Sequence, residues 1–298
     1  MKRLSGFVIG MGLLAAGCAG KGAVSVGPLD EGSPPASPAH HIPGPRPSAT
    51  AGVVSRGSSG ATVTYEVWFV RGERLFVTKR TQPATVAVGT AALNALLAGP
   101  NAAERQAGVG TTIPGGTQLL GLNIADGIAT VNLSSRYDDG GGSESERYRL
   151  AQVVFTITQF PTVQAVDFQM DGKAVTTFSG EGIVLDHPQT RADYEDTLPA
   201  ITVESPTIGQ RVSSPVTLSG TADVFEATVS VWILDENGRK LADTTTQASC
   251  GTGCRGDYSK AVSYHVDHDQ SGTVEVFEAS AKDGSPTNVV KIPVTLRA

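Results

Sequence analysis

The sequence predicts an α+β domain followed by an all-β, immunoglobulin-like sandwich. Between residues 61 and 198, runs rich in β-branched and aromatic residues alternate with segments whose apolar residues recur at helical spacing. After residue 199, about seven short β-rich runs separated by turn residues are typical of a β-sandwich. The 298-residue chain is 40% hydrophobic, so it has the composition of a globular protein and room for about two domains.

The first domain, residues 61–185, is predicted to begin with the strands TVTYEVWFV and RLFVTKR. The run VAVGTAALNALLAGP has apolar residues at nearly the 3.6-residue period and ends in Gly-Pro, which predicts a helix. Asp126-Gly127 and Asp171-Gly172 each separate two β-rich runs and predict hairpins. The order β-β-α-β-β-α-β-β predicts a sheet with helices on one face.

The second helix of this domain is predicted to end before Pro161. Its apolar residues fall on one helical face, and they are Leu150, Val153, Val154 and Ile157. One buried face and one solvated face are therefore expected.

Two pairs of residues have the spacing of a helix capping box. Asn101 and Glu104 form one pair, and Ser143 and Glu146 form the other. In such a box the side chains of the cap and of the third helical residue each bond the other's backbone N–H. The spacing predicts a short extra helical turn after Asn101 and a helix start at Ser143.

Three motifs in this domain occur in the order of a known family. The segments AALNALLAGPNAAERQAGVGTTIPGGTQLL, DGIATVNLS and LAQVVFTITQFPTVQAVDFQMDG resemble the sporulation and spore germination (GerMN) domain. The resemblance implies an extracytoplasmic α+β domain, similar to ring-building domains of secretion assemblies, with no known catalysis. It also implies association with membrane partners, sensor kinases included, as in related actinobacterial lipoproteins.

The second domain is predicted to span residues 200–298, with Trp232 as its large core residue. The run SPTIGQRVSSPVTLSGTADVFEATVSV resembles the immunoglobulin-like domain of bacterial spore germination, a family with no known active site. Residues 186–199 are polar and contain two prolines, which predicts a short, semi-flexible linker between the domains. The family names do not by themselves imply a role in germination.

The N-terminus has the features of a lipoprotein signal peptide over residues 1–18. Lys2 and Arg3 precede an apolar run that is too short to span a bilayer, and small residues lead to Cys18. This pattern resembles the bacterial lipobox, although Ala15 stands where leucine is usual. Lipidation of Cys18 would hold the chain on the extracytoplasmic face of the cell membrane. An ordinary secretory signal is the alternative.

Residues 19–60 are rich in proline, glycine and serine and hold few large apolar residues. Such a segment cannot bury enough surface to offset its chain entropy, so a disordered linker is predicted.

Cys250 and Cys254 flank Gly-Thr-Gly and are predicted to form a disulfide, which an extracytoplasmic location permits. The alternative is a metal site with His265 and His268, but the usual cysteine spacing of zinc sites is missing. No metal ligand and no cofactor are therefore predicted.

No catalytic residue is predicted either. Asp138, Asp139, Glu144 and Glu146 form an acidic cluster that could act in acid–base chemistry or bind a cation. Two of them fall in the first turn of a helix, where the dipole favours acidic residues, so a solvated loop and helix start is the preferred interpretation. The tripeptide Arg-Gly-Asp at residues 255–257 is interpreted as a chance occurrence.

These observations predict a non-enzymatic, membrane-anchored lipoprotein that binds a protein partner in the cell envelope through sheet edges or loops. Binding of a cell-wall glycan or a small ligand is the alternative function, and hydrolysis is less favoured because no hydrolase motif occurs. The net charge of −6 disfavours nucleic acid as a partner.

Overall fold

The computed structural model describes residues 60–179 and 182–298. The predicted signal peptide, Cys18 and all of the predicted 19–60 linker except Gly60 lie outside these residues. Within the described part, no helix has the length and apolar character needed to cross a membrane.

The first half of the described chain is a mixed α+β unit, which confirms the predicted class. Its helices are α1 (Val88–Ala98), α2 (Ala102–Gln106) and α3 (Ser143–Ile157), with 3₁₀ turns at Ser135–Asp138 and Arg191–Thr197. Its strands are β1 (Thr62–Arg71), β2 (Leu75–Pro83), β3 (Val109–Gly110), β4 (Leu119–Ala125), β5 (Ile128–Leu133), β6 (Ala165–Met170), β7 (Lys173–Ala174), β8 (Thr177–Phe178) and β9 (Ile183–Val184).

These strands are distributed over several small sheets, whereas the sequence predicts one. One sheet has the order β2-β1-β3, a second has the order β4-β5-β6-β7, and β8 pairs with β9. The chain crosses from β5 to the parallel strand β6 through α3, as parallel pairing requires. Helix α3 contacts β1 of one sheet and β6 of the other. It is therefore buried from Leu150 through Ile157, so the prediction of a single buried face is wrong.

Side chains of α3 and of the turn that follows it cover one edge of β1. Gln159, in the turn, accepts from the N–H of Glu66 at 2.7 Å and donates to its carbonyl at 2.8 Å. In α3, Thr156 Oγ1 accepts from the N–H of Trp68 at 3.1 Å, and Gln152 donates to the Trp68 carbonyl at 3.2 Å. These three polar side chains thus replace a neighbouring strand, which protects this edge from pairing with other chains.

The structure contains one of the two predicted capping boxes. Asn101 accepts from the N–H of Glu104 at 2.9 Å, and Glu104 accepts from the N–H of Asn101 at 2.7 Å. Helix α3 begins at Ser143 as predicted, but its N-cap is Gly142, so Ser143 and Glu146 do not form the predicted capping box. Glu146 instead accepts a hydrogen bond from the hydroxyl of Ser179.

The second half is the predicted sandwich of short strands. They are β10 (Arg211–Val212), β11 (Val216–Ala222), β12 (Thr228–Leu234), β13 (Lys240–Gln247), β14 (Gly256–Val262), β15 (Gln270–Ala279) and β16 (Pro286–Leu296). One sheet has the order β10-β16-β15-β12-β13, and β11 pairs with β14 in the other. Residues 200–205 extend the smaller sheet, since the N–H groups of Thr202 and Glu204 each donate to β11 at 2.8 Å.

Trp232 is not a core residue of the sandwich, contrary to the prediction. It lies between inward-facing positions of β12 and is half-buried on the outer face of the sheet. There it packs edge-on against Phe277 with 4.5 Å between ring centroids, and Lys240 Nζ lies 3.7 Å from its centroid. The core side of this sheet holds aliphatic residues instead, among them Val229, Val231, Ile233, Val274, Val276 and Ile292.

The segment predicted as a semi-flexible linker, residues 186–199, is packed against the first half. Its 3₁₀ turn contacts α3, and Tyr194 is buried with its hydroxyl donating to Gln189 at 2.7 Å. Arg147 of α3 donates to the Asp193 carbonyl at 2.6 Å. The segment therefore belongs to the packed structure of the first half.

Candidate functional site

Strand β4 is an edge strand. It pairs with β5 on one side only and reads LLGLNIA, with no charge and no proline. Exposed strand edges normally carry lysine, proline, a bulge or a covering element that prevents pairing with other chains. The ladder of β4 is irregular between Leu119 and Gly121 and regular from Gly121 to Ala125, so the uncharged edge of residues 121–125 is available for a partner's strand.

The geometry of the β4–β5 hairpin fixes which backbone groups face outward. Asp126 and Gly127 form the two-residue turn with φ of 52° and 81°. A turn of this kind closes on a hydrogen-bonded pair, here Ala125 with Ile128. Because such pairs alternate along an antiparallel ladder, the N–H and C=O groups of Ile124 face away from β5.

An apolar groove of about 410 Å³ lies beside this edge. Its walls include Val86, Leu122, Ile124 and Phe160. The first turn of α1 lies directly against β4, since a Cβ added at Gly89 would be 3.1 Å from Leu122 Cδ2. The edge and groove together are called the β4 edge site below.

Large apolar side chains at the β4 edge site are exposed. Leu120 is 47% exposed, Ile124 41%, and Val86 fully. Among the described residues only three other large apolar side chains reach comparable exposure, and they are Val184, Phe225 and Val289. This site is not among the sequence predictions, although the uncharged run beside a predicted hairpin turn is a signal for it.

A polar junction lies where the two halves meet. Arg191 donates to Thr158 Oγ1 at 2.8 Å and to the Phe155 carbonyl at 3.0 Å. Its guanidinium lies 4.9 Å from the centroid of the Phe155 ring and 5.7 Å from that of Trp68. Burial lowers the pKa of Arg191, while the charges of Glu66 and Glu204 act to raise it.

Glu204 is the acidic residue that the sandwich contributes to this junction. Burial raises the pKa of its carboxyl group, and the nearby carboxylate of Glu66 raises it further, against the opposing charges of Lys79 and Arg191. The ionised form of Glu204 is therefore less favourable in the folded chain than in the unfolded chain.

Replacing Glu204 with glutamine is expected to raise the melting temperature near pH 7, by on the order of 2 °C. A raised pKa contributes stability below the unfolded value, and this contribution is lost as the pH rises through the folded value. The gain in Glu204→Gln should therefore disappear near pH 4. Thermal unfolding at both pH values, with exposed Glu236→Gln as the control, measures this. Equal shifts of the melting temperature at both pH values would contradict the raised pKa of Glu204.

The structure joins Cys250 to Cys254 by a disulfide, with 5.7 Å between their Cα atoms. His265 forms an exposed pair with Asp267 at 3.2 Å. Within residues 60–179 and 182–298, no group of three or more His, Cys, Asp and Glu residues is arranged to hold a metal ion.

The acidic cluster is not one convergent group. Asp139 forms an exposed pair with Arg136 at 3.8 Å, and Glu146 bonds Ser179. Burial raises the pKa of Asp138, the charge of Arg149 opposes this, and the charge of Glu146 adds to it. These side chains serve different local contacts.

Arg255 of the Arg-Gly-Asp tripeptide is directed into the protein. It donates to the Pro199 carbonyl at 2.7 Å and to Thr221 Oγ1 at 3.1 Å. Burial lowers the pKa of this guanidinium. The arginine is therefore part of the contact between residue 199 and β11 and is not presented to a receptor.

Both halves match protein-family models. Residues 60–176 match Germane, described as sporulation and spore germination, and residues 200–285 match Gmad2, the immunoglobulin-like domain of bacterial spore germination. The chain therefore contains a GerMN-like domain followed by an immunoglobulin-like β domain, as the sequence predicts. A search of curated proteins found no match.

The solved structures that match this chain include two of the sporulation protein GerM from Bacillus subtilis. The first GerMN domain is 20% identical, covering 44% of this chain and 99% of that one, with a TM-score of 0.36. The tandem GerMN domains are 14% identical, covering 68% and 62%, with a TM-score of 0.39. A candidate lipoprotein from Clostridium perfringens is 20% identical, covering 46% and 93%, with a TM-score of 0.34.

Proposed function

We propose that this chain, a GerMN-like domain followed by an immunoglobulin-like domain, is a non-enzymatic lipoprotein on the extracytoplasmic face of the cell membrane. It binds a protein partner of the cell envelope by strand addition at the β4 edge site. The single observation that supports the binding role is the exposed, uncharged edge of β4 beside an apolar groove.

The proposed anchor is the lipidated thiol of Cys18, and it rests on the signal-peptide pattern of the sequence. A lipid with more than one acyl chain holds a protein stably on a membrane. Mass spectrometry of the mature protein is expected to show an acylated Cys18 at the N-terminus. Cys18→Ser should leave the chain uncleaved and without this lipid, and an unmodified N-terminus in the wild type would reject the anchor.

Strand addition fits the β4 edge site for two physical reasons. Backbone N–H and C=O groups of an added strand would pair with the outward groups of Ile124 and its alternate neighbours. Apolar side chains of the partner would then enter the groove between Val86 and Phe160 and remove exposed surface from water. Backbone pairing supplies affinity in this mode, and the groove supplies specificity.

The test is affinity capture from detergent-solubilised membranes of the native cell, with wild type and Ile124→Lys compared directly. A lysine at this edge should abolish capture of a reproducible partner, because a charge beside the groove disfavours an added strand. Val184→Lys is the matched control, since Val184 is a 62% exposed aliphatic residue on another short strand. Loss of the partner with both variants, or with neither, would reject the β4 edge site.

Binding of a cell-wall glycan is a second candidate, and the half-exposed Trp232 favours it. Its indole is half-buried on the outer face of the sandwich, and a sugar ring would stack on it in place of Lys240, whose Nζ lies 3.7 Å from the ring centroid. Titration with purified peptidoglycan fragments, followed by tryptophan fluorescence, tests this function. Saturable binding that is lost in Trp232→Ala would favour the glycan, and its absence would remove this candidate.

A further inference from the structure

We infer that a cleft between the two halves is a second binding site, specific for an extended peptide segment that carries a carboxylate. The cleft measures about 500 Å³, within the usual range of ligand pockets. Its walls come from three segments, residues 71–77, 199–203 and 288–291. It is separate from the β4 edge site.

One wall of the cleft is the free edge of β2. Strand β2 is the terminal strand of its sheet, and the Arg71 N–H donates to the Arg74 carbonyl at 2.9 Å where the β1–β2 hairpin closes. Hydrogen-bonded pairs alternate from this point, so the backbone groups of Leu75 and Val77 face away from β1. Strand β1 shows the same alternation. Trp68 lies across from Val77, and its N–H points away from β2 and donates to Thr156 of α3.

The facing wall is a second free edge, formed by residues 200–205. Thr202 and Glu204 donate their N–H groups to β11, so the backbone groups of Val203 between them face the other way. Ile201 and Val203 both line the cleft. Two strand edges from different sheets therefore border the same space.

The outward backbone groups on both edges are buried and lack partners among the described residues. Leu75 is 1% exposed, and Val77 and Val203 are each 2% exposed. Buried backbone N–H and C=O groups are nearly always paired in proteins, because leaving them unpaired costs free energy. A chain in extended conformation bound in the cleft would supply hydrogen-bond partners for these groups.

The charge of the cleft defines the occupant further. Arg71, Arg74 and Lys291 line it, and no acidic residue does, although the whole chain has a net charge of −6. Lys291 is paired with Glu275 at 2.7 Å.

Neither Arg71 nor Arg74 has a carboxylate partner within the described ranges. Arg74 donates through Nη1 to the Glu73 carbonyl at 2.6 Å and to the Tyr148 hydroxyl at 3.3 Å, which leaves its Nε and Nη2 for a ligand. The guanidinium carbon of Arg71 lies 5.4 Å from the centroid of the Phe76 ring, and the same group donates to the Lys291 carbonyl at 2.7 Å.

A positioned guanidinium with free N–H groups binds a carboxylate in two-point geometry. Two apolar side chains of the cleft can also contact the peptide. They are Val289, which is 39% exposed, and Phe76, which is buried. The occupant is therefore an extended peptide with alternating apolar residues and one acidic side chain.

The test uses the full chain in detergent and three capped seven-residue peptides of alternating Thr/Val, Ser/Ile and Thr/Tyr, each with one central Asp. Fluorescence anisotropy should show saturable binding, and the Asp→Asn peptides should bind about tenfold more weakly. Replacing the exposed Arg74 with glutamine (Arg74→Gln) should weaken binding of the Asp peptides by about the same factor. It should leave the affinity for the Asn peptides unchanged. Amide exchange should slow at Leu75, Val77 and Val203 when peptide is added.

Three results would overturn the inference. One is the absence of saturable binding by all three peptides at millimolar concentration, and another is equal binding of the Asp and Asn forms. The third is amide protection confined to β4 in place of β2 and residue 203, which would assign the peptide to the β4 edge site. Exchange protection thus separates a failure of this inference from a failure of the proposed function.

Discussion

Replacing Arg80 with glutamine is expected to lower the free energy of unfolding by about 3 to 5 kcal/mol. Glu104 is 1% exposed and receives both guanidinium nitrogens of Arg80, at 2.6 and 2.7 Å. It also accepts from Thr78 Oγ1 at 2.7 Å and from the Asn101 N–H. Without the arginine, a buried carboxylate loses its cation. Urea unfolding at neutral pH measures the loss.

The reciprocal variant provides the control. Glu104→Gln should lower the free energy of unfolding by less than Arg80→Gln does, because Arg80 is 22% exposed and can be hydrated when its partner is removed. Burial raises the pKa of Glu104, but the hydrogen bonds from Arg80, Thr78 and Asn101 outweigh this and lower it. A lowered pKa contributes stability above the unfolded value, and this is lost as the pH falls through the folded value. The deficit of Arg80→Gln should thus shrink near pH 3. A larger cost for Glu104→Gln would contradict this account.

Replacing Arg149 with methionine is expected to cost about 3 kcal/mol. This arginine is 2% exposed, and its guanidinium donates to backbone carbonyls of two loops at 2.6 to 3.4 Å. Those carbonyls belong to Thr112, Tyr137, Asp139 and Gly140. Methionine fills much of the same space but leaves all four carbonyls without this donor.

Arg136 provides a matched control for Arg149 because it lies on the same loop but is 58% exposed and bonds one loop carbonyl, that of Gly115 at 2.6 Å. Arg136→Met should lower the free energy of unfolding by about 1 kcal/mol or less. Amide exchange of residues 112–113 and 138–140 should accelerate in Arg149→Met alone. Equal stabilities of the two variants would show that Arg149 does not hold the loops together.

Local signals predicted the elements well, and tertiary contacts explain the differences. The turn at Asp126-Gly127 and the cap at Asn101 depend on neighbouring residues, so the sequence suffices to predict them. The full burial of α3 depends on two sheets that meet around it, which its own periodicity does not show. The size of Trp232 favours a core position, but its register in β12 places it on the outer face.

For the candidate sites too, local features could be predicted from the sequence, whereas features that depend on tertiary contacts could not. The residue pattern of β4 predicts a strand, but only the sheet order shows that one edge of this strand is unpaired. The cleft is built from segments that lie more than eighty residues apart, and sequence spacing does not bring Arg71 next to Lys291. The segment at residues 186–199 reads as polar and flexible, yet Tyr194 and Gln189 form a buried contact within it.

Photo-crosslinking in the native cell tests the proposed function most directly. A benzoylphenylalanine placed at exposed Asn123 of β4 should form an adduct with one defined envelope protein. The same group at exposed Thr245, on the polar edge strand β13, should not form this adduct. No adduct from Asn123, or the same set of adducts from both positions, would contradict partner binding at the β4 edge site.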